Sequence, residues 1–183
     1  MKEMNEQHFM NAFGGKSQSH VRYRYFAAQA EAEKLPNVAR LFRAIAYSEY
    51  IQASNYHLKL GHLERIFTTS SIVTCGFGNT KKNLALAITG KEFGITEMYP
   101  PEYKGLTKSR KEKITERNLL WNYLVERLHK KLLEKVKKVI DKNHDIEPKS
   151  IHICRVCGYT RRGELPNKCP ICKVTKEKFT TFT

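Results

Sequence analysis

The last 35 residues place the tightest constraint on this chain of 183 residues. They carry two C-x-x-C pairs, Cys154-Arg155-Val156-Cys157 and Cys169-Pro170-Ile171-Cys172, separated by eleven residues. Each C-x-x-C turn aims two thiolates at one point, so four sulfurs define a tetrahedral site suited to iron or zinc. The segment shows no helical period and has turn residues at Gly158, Gly163, Pro166 and Pro170. It is too short to bury a core of its own, so a bound ion must nucleate it. Ligand type alone leaves two readings open: zinc as a structural staple, or iron as a one-electron carrier. The N-terminus, Met1 to Gln7, is polar and lacks the apolar stretch of a signal peptide. No apolar run reaches the ~18–20 residues a membrane span needs. A cytoplasmic location is therefore expected, and the paired cysteines read as metal ligands rather than a disulfide framework. The fifth cysteine, Cys75, stands in a Gly- and Ser-rich stretch without a neighbouring base and reads as a small packing residue.

Helical periodicity fills the first 148 residues. The pattern predicts a helix from about His8 to Lys34, ended by Pro36, and a second from Asn37, whose side chain can cap it, to Gly61. A third runs from an Asn79 cap to Tyr99, stopping before Pro100-Pro101, and a fourth from about Lys108 to Lys142. A short first link and a long second one describe a four-helix bundle with a crossover connection. The expected organisation is a bundle over residues 1–148 and a four-cysteine metal domain over 149–183.

Five segments in order carry a resemblance to a known family. They are Asn11-Ala12-Phe13-Gly14-Gly15-Lys16-Ser17-Gln18, Arg22 to Phe26, Thr96-Glu97-Met98-Tyr99-Pro100, Glu126-Arg127-Leu128-His129, and the paired cysteine knuckles. Together they resemble the rubrerythrins, and Ile153 to Phe179 is similar to that family's rubredoxin-like part. The resemblance implies an all-α, ferritin-like bundle with a small rubredoxin-like domain. It further implies a di-iron carboxylate site fed with electrons by the four-cysteine iron and reducing hydrogen peroxide. A homodimer is implied, one subunit's small domain lying near the other's bundle, together with a protein electron donor or reductase.

Carried over by position, the implied ligands are Glu49, Glu97, Glu126 and His129, with Tyr23 beside them. Three positions differ: Lys16 and Gly94 stand where carboxylates are expected, and Gln52 where histidine is. Lys16 can supply covalently a cation that clustered carboxylates otherwise take from a metal, since two like charges ~4 Å apart repel by roughly 4 kcal/mol at an effective dielectric of ~20. Two irons, one metal ion and a metal-free polar core are all open readings, and His20 is a candidate substitute ligand. His57 and His62 read as surface histidines, and the aromatic residues Tyr25, Phe26, Phe67 and Phe77 as packing.

The net charge of +15 raises a nucleic-acid reading, with the knuckles as a zinc ribbon. The charge is spread along the chain and lacks interleaved stacking aromatics, and this reading leaves Glu126 and His129 unexplained. An electron carrier or redox sensor on a bundle without its own chemistry is the nearer alternative to a peroxidase.

Overall fold

A computed structural model of the chain describes residues 2–61, 66, 68–69, 76–98 and 110–183, and of residues 2–5 and 110–116 the backbone alone. Cys75, His62, Phe67, Tyr99, Pro100-Pro101, the start at Lys108 and most of the long connection lie outside the described residues. Among the described residues there are four α-helices: α1 (Lys2–Ala32), α2 (Pro36–Leu60), α3 (Thr80–Phe93) and α4 (Arg110–Ile140). α1 packs along α2 and α3 along α4. A three-stranded antiparallel sheet follows, with β1 (Ile151–Cys154) between β2 (Thr160–Arg162) and β3 (Phe179–Phe182). Among the described residues, no helix is long and apolar enough to cross a membrane.

The helix ends show which local signals operate. Asn79 caps α3, its side chain accepting from the Lys82 N–H at 2.9 Å. α1 closes with Lys34 in the left-handed region (φ 60°), the Leu35 N–H returning to the Ala30 carbonyl and the Lys34 N–H to that of Glu31. The start of α2 differs from expectation. Asn37 is not its cap; Leu35 precedes it and Pro36 opens it. The first free N–H groups are instead satisfied from a distance. The Asp145 carboxylate accepts from Asn37 N at 2.9 Å, Asn37 Nδ2 at 2.9 Å and Val38 N at 3.2 Å, and also from Ile146 N at 2.8 Å. An acidic side chain at a helix N-terminus also complements the helix dipole.

α3 likewise ends earlier than its period predicts. After Phe93 the chain widens into a π-helical turn over Gly94–Met98.

The small sheet is not a separate body hung on the bundle. Ile151 and Ile153 of β1 are buried in the same apolar core as Phe26, Phe42, Ile45, Leu84 and Leu133. Tyr47 of α2 meets Phe182 of β3, ring centres 5.8 Å apart. β1 is therefore buried along its whole length, as the central strand of a sheet pressed on helices must be.

The Asp145 bridge is testable. Asp145→Ala should cost about 2 kcal/mol in urea unfolding, since it strips three backbone donors and one side-chain amide of their acceptor. Asp145→Asn should recover part of that loss.

Candidate functional site

Each of the four helices sends one charged side chain to the middle of the bundle. Lys16 comes from α1, Glu49 from α2, Lys91 from α3 and Glu126 from α4, and all four are buried. Charges alternate around the group. Lys16 Nζ lies 3.2 Å from Glu49 Oε2 and also bonds Glu126 Oε1. Lys91 Nζ lies 2.9 Å from that same Glu126 oxygen and bonds Glu49 Oε1. Two ammoniums and two carboxylates thus close a ring.

The environment keeps the ring ionised. Burial alone would lower the Lys16 and Lys91 pKa values, but the facing carboxylates of Glu126 and Glu49 outweigh it and raise both. Burial would raise the Glu49 pKa, yet the two ammoniums hold it well below the usual carboxylate range. Tyr23 completes one wall, with Lys91 Nζ 5.3 Å from its ring centre.

Lys91 was not legible as a site residue, because nothing in its sequence neighbourhood marks an inward lysine. Glu97 is not brought in: it stands exposed on the π-helical turn. His20 is also elsewhere, its Nδ1 2.8 Å from the Ala46 carbonyl.

His129 joins this group to the cysteine domain. Its Nε2 lies 2.7 Å from Thr160 Oγ1, and Thr160 Oγ1 in turn donates to the Gly158 carbonyl at 3.2 Å. The hydroxyl has one proton, so it accepts from His129 Nε2–H and leaves Nδ1 as a lone pair. That lone pair is 3.7 Å from Glu49 Oε1, too far for a hydrogen bond. Burial lowers the His129 pKa, with the Lys91 charge acting the same way, so the ring is neutral near pH 7.

The cysteine domain sits on α2 beside this link. Ser48 Oγ donates to the Gly158 carbonyl at 2.6 Å and Asn55 Nδ2 to that of Val156 at 2.8 Å. Gly158 has φ 79°, and a Cβ there would meet Ser48 Oγ at 2.6 Å, so no larger residue fits without displacement. Lys173 occupies the corresponding left-handed place (φ 66°) after the second knuckle.

The four sulfurs converge. All lie within 4.8 Å of one another, with Cys154–Cys172 and Cys157–Cys169 at 3.5 Å. A tetrahedron with ~2.3 Å metal–sulfur bonds has edges of about 3.8 Å, so the set fits a single ion. Backbone N–H groups of Tyr159 and Val174 face the Cys157 and Cys172 sulfurs, and those of Ile171 and Cys172 face Cys169. Such donors stabilise thiolate charge on a bound metal. Tyr159, Trp121, Leu128 and Phe179 pack around the cluster.

The family model described as rubrerythrin matches residues 8–137, and that described as rubrerythrin, rubredoxin-like domain, matches residues 152–180. Rubrerythrin-2 of Clostridium acetobutylicum is 38% identical over 174 residues, 94% of this chain and 93% of its own length. The rubrerythrin of Nitratidesulfovibrio vulgaris is 27% identical, covering 95% of this chain and 92% of its own. In fold, the chain is similar to nigerythrin solved in a mixed-valence state, with TM-score 0.84, 24% identity, and coverage of 97% of this chain and 86% of that one.

Stability should follow the ionisation of the bundle. His129 is held neutral, so stability falls as pH drops below its ordinary value of 6.5 and the unfolded chain takes up the proton. Glu49 adds a second loss below about 4.5, where the unfolded carboxylate protonates first. The lysines act oppositely: their contribution fades as pH rises above 10.5. Melting temperature against pH should show all three limbs, and His129→Gln should flatten the one between pH 7 and 5.

Proposed function

The chain belongs to the rubrerythrin family, and from that premise we propose that it works as a one-electron carrier, its redox centre an iron held by Cys154, Cys157, Cys169 and Cys172. Bound iron supplies a ferrous–ferric couple; the protein supplies the thiolates, the N–H donors aimed at them and the apolar cover that limits water. The observation that carries the reading is the fit of four converging sulfurs to one ion within a rubredoxin-like segment. Cysteines that ligate a metal rather than pair in disulfides suit a reducing, cytoplasmic compartment.

Hydrogen-peroxide reduction, which the family resemblance implies, would require the bundle group around Glu49, Glu126 and His129 to take metal. Two lysines among those carboxylates favour the carrier over the peroxidase. Zinc in the same four cysteines would instead make the domain a structural staple. A homodimer fits the exposed Val21, Tyr25 and Phe77 beside α1, which a second copy would cover.

Electrons need an entry point, and charge suggests one. A groove of about 520 Å³ runs between α4 and β2, along the seam of bundle and cysteine domain. Arg127, Lys131, Lys135, Arg161 and Arg162 line it over an apolar floor that includes Leu128 and Tyr159. Tyr159 belongs to the apolar cluster that encloses the cysteines. An acidic electron-donor protein matches this surface, with encounter steered over a Debye length of about 8 Å at physiological salt.

Two experiments test the proposal. Protein purified anaerobically from iron-replete cells should be coloured and reversibly bleached by reductant, and Cys157→Ser should abolish the colour. A colourless protein with one zinc per chain would end the electron-transfer reading. For the groove, Lys131→Glu with Arg161→Glu should slow reduction by a reduced acidic iron–sulfur carrier about tenfold at low salt. Rising salt should slow the parent more than the variant.

A further inference from the structure

We infer that Lys16 and Lys91 stand in the bundle as two tethered cations in place of a dinuclear metal centre, so that the one metal ion of each chain is the ion its cysteines hold. This rests on the family membership but not on whether the cysteine ion is iron or zinc.

The carboxylates that remain are already saturated with positive charge. Both oxygens of Glu49 and Oε1 of Glu126 face an ammonium, and each ammonium faces both carboxylates. A divalent ion entering between them would have to displace a buried ammonium from its partners, and a buried unpaired charge is costly. Leaving both lysines in place would put a metal ion against two like charges.

The ligand inventory agrees. α1 offers Lys16 in place of a carboxylate, and α3 offers Lys91 and Gly94, with Glu97 exposed outside the group. Gln52 is buried, but its amide is a poor metal ligand beside the imidazole the family has there. His129 has committed Nε2 to Thr160. Two glutamates and one imidazole nitrogen remain, too few for two ions, and both glutamates are taken.

Charge bookkeeping points the same way. Two ammoniums and two carboxylates sum to zero with His129 neutral, so the group needs no further cation. Gln52 and the Tyr23 hydroxyl, buried without a hydrogen-bond partner among the described residues, are positions where ordered water would complete the polar core.

Metal counting and a charge cycle test the inference together. Protein incubated anaerobically with excess ferrous iron, then desalted, should hold one transition-metal ion per chain, and excess iron should not raise its melting temperature. Two or three ions per chain, with the surplus lost in Glu126→Ala, would overturn the proposal. Lys16→Met should lower the melting temperature by about 10 °C, because it leaves two buried carboxylates sharing one ammonium. Adding Glu126→Gln should restore most of that loss. Unchanged melting temperatures for both Lys16→Met and Lys91→Met would equally overturn it. Should Lys16→Met fail to fold, the ion count on the parent protein still decides.

Discussion

Four charges buried at the centre of the bundle, one from each helix, set the terms for the rest of this protein. Taking Lys16, Glu49, Lys91 and Glu126 out of water is expensive, and their mutual attraction offsets that cost only when all four meet. The net gain in stability is modest. The gain in specificity is larger, because a helix slipped by one residue would leave a charge buried and alone.

Two neighbours of that group, Ser48 and His129, tie the cysteine domain to the bundle. Gly158, directly after Cys157, rests on Ser48 of α2, and Thr160 meets His129 of α4. Glu49 and Gln52 follow Ser48 by one and four residues on the same helix. The knuckle nearest the bundle is therefore held by hydrogen bonds to the same two helices that carry Glu49 and Glu126. Ile151 and Ile153 extend the bundle core into the sheet, so metal binding and helix packing support each other.

The left-handed places after the two knuckles illustrate how unequal two similar turns can be. Gly158 occupies the first because a Cβ there would run into Ser48 and Gln52. Lys173 occupies the second, where the side chain is exposed and only the backbone strain is felt. One turn is an interface and the other a solvent-facing loop.

Much was legible from residue order alone. Two C-x-x-C pairs announce a four-thiolate site because ligand spacing is a local property, and long amphipathic periods announce a helical bundle for the same reason. The Asn79 cap was readable because its acceptor and its donor lie three residues apart. What sequence could not determine depends on contacts between distant segments. Asp145 caps a helix 108 residues before it, a partnership no local signal marks. Lys91 looks like any helical lysine until α3 is packed in place and turns it toward Glu49 and Glu126. Glu97 matches a family motif, yet the π-helical turn carries it to the surface. Lys16 could be recognised as a misplaced cation, but only tertiary structure decided that a second ammonium faces it across two shared carboxylates, because buried charge is balanced in space and not along the chain.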